Sequence, residues 1–167
     1  MEFALMTGAR RDNVVNLLRT DVHDGFLHIE HIKSKENEEP MKVRYPLEMY
    51  LPCVQWTLGG IVARCKDNIV SKFLIHHNSH VGRAKPGMKF RAKTIEQQFR
   101  DARDAAGIES GAGKTPPTFH EIRSLAKMLW NEQGIDTMVL LGHKTEKSAA
   151  LYGDRRGKDW LTVSTKS

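Results

Sequence analysis

Long apolar runs are missing from this 167-residue chain: none approaches the roughly 20 residues that a membrane-crossing helix needs. No basic stretch followed by an apolar one stands at its start, so no secretion signal is expected. Cysteine is scarce. Cys53 and Cys65 fit no zinc spacing and need not pair, which makes a reduced, intracellular protein the expectation. Carboxylates are not gathered either: Glu38 and Glu39 sit in a charged loop, and nothing matches the converging carboxylates of two-metal nuclease chemistry. His76, His77 and His80 crowd together with no Cys, Asp or Glu nearby in sequence to complete a tetrahedral set, so neither a metal nor a cofactor is expected. There are no internal repeats. A capping residue is also missing before Phe3, Ala4 and Leu5, so the chain opens inside a helical pattern, as a fragment with more protein upstream would.

What is present is length enough for one domain with a sizeable core, and positive charge. Twenty-six Lys and Arg against 20 Asp and Glu leave a net charge of +6, which favours nucleic acid or an acidic membrane surface as partner. Residues 2–7 read as the end of a helix broken at Gly8, and Arg11–Leu18 resumes the helical pattern. Asp21–Gly25 is turn chemistry. Phe26–His31 and Met41–Pro46 alternate as two strands of an antiparallel hairpin, joined by the charged loop KSKENEEP. Leu47–Lys66 reads as helical, interrupted near Pro52 or Gly59-Gly60, and Phe73–His76 as a short strand. Residues 78–92 form a loop, and Arg83–Lys93 holds five basic residues and no acidic one. Lys93–Ala106 is a helix with Ile95, Phe99, Ala102 and Ala106 at core spacing, stopped by Gly107.

The best-marked helix begins at Thr118, where Glu121 three residues on makes a capping box. Its expected buried stripe is Ile122, Leu125, Ala126 and Leu129, with His120, Arg123 and Lys127 on the opposite face. Gly134 ends it, Asp136 caps a short helix through Leu141, and Trp160–Val163 reads as a final strand. His120 and Arg123, at i and i+3 in a first helical turn, suit an anion through unpaired backbone N–H groups, the positive dipole end and two donor side chains. An arginine fork grips two phosphate oxygens at once. His143 follows Gly142 at a helix end, and Tyr152 lies nine residues on. A tyrosine's pKa near 10 leaves about one phenolate in a thousand at neutral pH, so Tyr152 needs a base or a positive field to act as a nucleophile.

Taken in order, TGAR near the start, KSK after a strand, PPTFHEIRSLAKMLW and LLGHKTEKSAALY resemble the catalytic domain of tyrosine recombinases. From Pro116 onward, PPTFHEIRS, LLGHK and DRRGKDW resemble the integrases of lambda-type bacteriophages. The resemblance implies an α+β fold, a mostly helical domain with a small antiparallel sheet, and makes residues 1–167 a C-terminal catalytic domain without the family's core-binding and arm-binding domains. It makes Arg10, Lys35, His120, Arg123 and His143 the catalytic set and Tyr152 the nucleophile; Lys33 is a neighbour of the same type as Lys35. One departure stands out. The family places an acidic residue three after the first arginine, whereas this chain has Asn13 there, so Arg10 is expected to be positioned differently or helped by Asp12.

The implied reaction is metal-free cleavage and rejoining of DNA through a 3′-phosphotyrosyl intermediate, serving integration and excision of a phage or prophage. Lys33, Arg83, Lys85, Lys89, Arg91, Lys93, Lys144, Arg155 and Arg156 would hold the DNA backbone, giving affinity and register rather than sequence. Implied partners are double-stranded DNA, further protomers in a tetramer, and accessory bending and excision factors, with no membrane, in the cytoplasm of a bacterial host. Trp160, Leu161 and Val163 would anchor the tail, in cis or on a neighbour. The rivals are a type IB topoisomerase-like relaxing enzyme and an inactive DNA-binding prophage remnant.

Overall fold

Strands β1 (Val22–His23) and β2 (Phe26–His31) meet through Asp24-Gly25, both at positive φ (52° and 79°), the left-handed pair that tight hairpin turns require. In this computed structural model, which describes residues 1–31, 40–111, 113–142 and 160–164, β2 then pairs antiparallel with β3 (Met41–Pro46) as the alternation predicts. Leu27 lies opposite Tyr45 and Ile29 opposite Val43, and all four are buried. The half-wet pattern expected of β2 does not hold, because His28 and His31 are buried as well.

Two further findings revise the expected middle of the chain. Between Leu47 and Lys66 there is no broken helix: β4 (Tyr50–Leu51) and β5 (Trp56–Thr57) form a small antiparallel hairpin around Pro52, and only α3 (Leu58–Arg64) is helical. Gly59 and Gly60 lie inside the first turn of α3 rather than at a break, since the Thr57 hydroxyl accepts from the Gly60 N–H at 3.0 Å and caps the helix there. Phe73–His76 makes isolated bridges to Leu18 and Lys89 but no strand. The chain here is pinned side chain by side chain; His76 donates from Nδ1 to Phe73 O at 3.2 Å, and its Nε2 lies 3.0 Å from Asp67.

Helices enclose the sheet. α1 (Glu2–Thr7) ends at Gly8 and α2 (Arg11–Asn16) follows, tied to β2 by the Asn13 amide donating to Glu30 O at 2.8 Å. α4 (Ala92–Ala105) buries Ile95 and sets Phe99 edge-on to Phe119, while Ala102 and Ala106, expected in the core, are exposed. α5 (Glu121–Glu132) runs against α1, where Trp130 Nε1 donates to Leu5 O at 3.3 Å. α6 (Thr137–Leu140) is one turn, capped by Asp136 accepting from the Met138 and Val139 amides. The final strand β6 (Leu161–Thr162) joins β3 in parallel, so the sheet is mixed rather than wholly antiparallel.

That tail lies on its own sheet. Trp160 stands edge-on to His28 with ring centroids 4.7 Å apart, Val163 is buried, and Arg44 Nε donates to the Thr162 hydroxyl at 2.5 Å. Lys33, Lys35, His143, Lys144, Tyr152, Arg155 and Arg156 fall outside the described residues.

Candidate active site

Three elements far apart in sequence meet at the start of α5. Thr118 organises that start: its amide donates to a Glu121 carboxylate oxygen at 2.8 Å, and its hydroxyl bonds to the same oxygen. These contacts hold the Glu121 carboxyl below its usual pKa. The predicted capping box is therefore present in its Glu121 half. Its Thr118 half differs, because the hydroxyl accepts from the His120 amide at 3.3 Å rather than from Glu121.

This geometry removes one expected contribution to anion binding. The amides of His120, Glu121, Ile122 and Arg123 are all engaged, the first by the Thr118 hydroxyl and the others by carbonyls three residues back. Free backbone donors at the helix start are thus not what faces the cleft; side chains and the helix dipole remain.

The expected helix faces are also rotated. Arg123 is not on a solvated face: it is only 8% exposed and lies on the buried side with Ile122, Ala126 and Trp130. Leu125, expected inside, is 43% exposed, and Leu129 is half-buried. The reason is a pair of backbone carbonyls. One Arg123 terminal nitrogen donates to Gly8 O, and the other donates to Leu141 O at 2.6 Å. A buried carbonyl without a donor is costly, and a guanidinium satisfies two of them without exhausting its five N–H groups. Burial, with Arg10 nearby, lowers the Arg123 pKa to about 10, so it stays cationic at neutral pH.

Around that buried arginine opens a cleft of about 240 Å3. Ala9, Arg10 and Arg11 form one wall, and Phe119, His120 and Arg123 form the other. Arg10 is half-buried and His120 exposed. Glu96 also lines the cleft, but its carboxylate is held by Arg11. Asp12 contacts Arg11 at 3.4 Å, and Asn13 points its amide at Glu30 O. The structure thus gives Asn13 a task in tying α2 to β2. Of the six predicted catalytic residues, Arg10, His120 and Arg123 share this cleft.

The two glycines of the site are sterically required. Gly8 has φ +63° and a Cβ there would sit 2.4 Å from Leu141 Cδ2; Gly142 has φ +61° and a Cβ would sit 2.6 Å from the His31 ring. The turn leading to His143 is therefore packed on both sides up to Gly142.

Sequence reasoning missed Tyr45 and His31 as parts of this environment. Tyr45 is fully buried, donates its hydroxyl proton to Leu140 O at 2.7 Å and meets His31 Nε2 at 2.7 Å. The alternation of β3 pointed Tyr45 inward, and a buried phenol needs a partner for its hydroxyl. That was the available signal, but it does not say which partner.

In the predicted DNA-facing loop, Arg83, Lys85, Lys89, Arg91 and Lys93 are all exposed. The loop is held rather than loose: His77 donates its amide to Met88 O at 2.9 Å and Lys89 Nζ reaches Asn16 Oδ1 at 2.7 Å.

Compared with known proteins, residues 1–157 match the family described as phage integrase family. The chain is 40% identical to the prophage integrase IntE of Escherichia coli K12 over 98% of its own length, and it spans 42% of the length of that relative. Among solved structures, a lambda integrase (75–356) dimer bound to a COC′ core site superposes with a TM-score of 0.72 at 29% identity, over 99% of this chain and 54% of that one. A lambda integrase tetramer bound to a Holliday junction gives a TM-score of 0.71 at 28% identity, over 87% of this chain and 40% of that one.

Proposed function

Because the chain belongs to the phage integrase family, we propose that it is the C-terminal catalytic domain of a tyrosine-type site-specific recombinase that integrates and excises a phage or prophage genome. The observation that carries this reading is the shared cleft of Arg10, His120 and Arg123, with the Arg123 guanidinium already oriented by two carbonyls before a phosphate arrives.

Tyr152 attacks the scissile phosphate, forming a 3′-phosphotyrosyl bond as the bond to the 5′ oxygen breaks. Arg10 and Arg123, with His120 and His143 as donors, stabilise the charge that grows on the non-bridging oxygens. Lys35, or Lys33 beside it, gives a proton to the leaving 5′ oxygen, a general-acid role typically worth about 10²–10⁴-fold. The 5′-hydroxyl of a partner strand then attacks the phosphotyrosine and restores the phosphodiester, so bond energy is conserved and no ATP is consumed. The exposed basic loop, Arg83–Lys93, contacts the DNA backbone. Protomers assemble as a tetramer on paired sites in the cytoplasm of the bacterial host, as the lambda tetramer on a Holliday junction supports by its similarity. Accessory bending and excision factors bias the direction.

The test is a nicked suicide substrate, from which the released fragment cannot religate. Wild-type protein is expected to form a covalent adduct in the presence of EDTA, and Tyr152→Phe to form none. Adduct surviving that change would remove Tyr152 as nucleophile, and adduct lost in EDTA would remove the metal-free mechanism.

A further inference from the structure

Helix α6 is a single turn, too short to hold itself by its own hydrogen bonds. Its last carbonyls are orphaned by geometry and need outside donors. Arg123 supplies one, to Leu141 O at 2.6 Å. The other comes from the sheet: the Tyr45 hydroxyl donates to Leu140 O at 2.7 Å. Since that bond uses the only phenolic proton, the 2.7 Å contact between Tyr45 and His31 requires His31 Nε2–H to donate to the Tyr45 oxygen. Burial pushes the Tyr45 pKa further above its usual value, so this phenol stays neutral and is a fixed donor rather than a nucleophile or base.

Both residues are on the hairpin whose connecting loop carries Lys33 and Lys35. His31 ends β2, Tyr45 sits in β3, and the His31 ring is packed so close to Gly142 that no Cβ fits between them. One buried chain of contacts, His31 to Tyr45 to Leu140, thus joins the hairpin to the turn immediately before His143, while Arg123 grips the next carbonyl of the same turn.

We propose that Tyr45 is a positioning residue for DNA cleavage: its hydroxyl, oriented by His31, fixes the Leu140 carbonyl and so sets the Leu140–Gly142 turn in register with Arg123 and with the hairpin. Tyr45 touches no substrate in this role. It acts through the turn, and its effect on the reaction rests on the recombinase reading above.

Tyr45→Phe removes one oxygen and keeps the ring. In the full-length protein, single-turnover adduct formation on the suicide substrate at saturating DNA is expected to slow about tenfold or more, within the range that small misplacements cost. DNA affinity is expected to stay within about twofold. Ile61→Val, a buried truncation with a similar loss in Tm, is the control and should change the rate less than twofold. Amide exchange at Leu140–Gly142 should quicken at least about tenfold in Tyr45→Phe, relative to the Ala126–Trp130 amides of α5. A Tyr45→Phe rate within twofold of wild type, unchanged exchange at the turn, or equal slowing by Ile61→Val would each overturn the proposal. Absence of adduct from the wild-type protein would count against the recombinase reading instead, and the exchange measurement would still decide whether Tyr45 holds the turn.

Discussion

Replacing Arg123 by lysine separates the two tasks assigned to that side chain. Arg123→Met would blur them: it strips two buried carbonyls of their donors, at about 1–3 kcal/mol each. It also removes a buried cation, whose pKa burial lowers, so the two effects on stability oppose one another. Lysine keeps a buried charge but ends in one nitrogen rather than a fork, so it retains one carbonyl and abandons the other. One charge-assisted hydrogen bond lost is worth about 1.5–3 kcal/mol. For a chain of 167 residues that lowers Tm by roughly 3–12 °C, at about 2–4 °C per kcal/mol. The transition-state role is lost in parallel, since removing one donor to a developing oxyanion typically costs about 10²–10³-fold in rate. Calorimetry reads the first effect, and single-turnover adduct formation on the nicked substrate reads the second. A variant melting within 1 °C of wild type would refute the claim that Arg123 joins Gly8 to Leu141, whatever happened to the rate.

Gly142→Ala places a methyl group 2.6 Å from the His31 ring on a backbone at φ +61°, so it should lower Tm by several degrees and slow adduct formation at unchanged DNA affinity. Unaltered melting would argue against that packing. His28 has its pKa lowered, chiefly by burial. The unfolded chain therefore takes up the proton first as pH falls through about 6.5, and folded stability contributed by neutral His28 is lost from there down to the folded pKa. His28→Gln should flatten the decline of stability below about pH 6.5, as urea melts at several pH values would reveal. Glu121→Ala breaks the Thr118 contacts at the start of α5 and should cost about 1 kcal/mol in the same assay.

The parts of the fold that local chemistry decides were legible. Strand limits Phe26–His31 and Met41–Pro46, the stops at Gly8 and Gly134, and the Asp136 cap follow from alternation, left-handed turns and side-chain acceptors within a few residues. What failed was decided by distant partners. Arg123 reads as solvated because its neighbours in sequence offer nothing to bury it; Gly8 O and Leu141 O do, and neither is near it in the chain. Once those carbonyls draw Arg123 inward, the helix turns and Leu125 is left outside. Similarly, Pro52, with no backbone N–H to give, and Gln55, at φ 55°, make a hairpin where apolar spacing alone suggests a helix.

Arg10, His120 and Arg123 were recognisable as a set by resemblance of motifs; their dependence on one another was not. Arg123 holds the carbonyl of Gly8, two residues before Arg10, and the carbonyl of Leu141, two residues before His143. The side chain proposed to grip phosphate also fastens the segments that precede Arg10 and His143 in the chain. The proposed anion site therefore depends on α1, α5 and α6 being docked together. A substitution anywhere along that seam should change stability and cleavage together. His120, exposed at the cleft mouth and making no such tether among the described hydrogen bonds of its side chain, is where the two should separate: His120→Ala is expected to slow adduct formation while leaving Tm close to that of wild type.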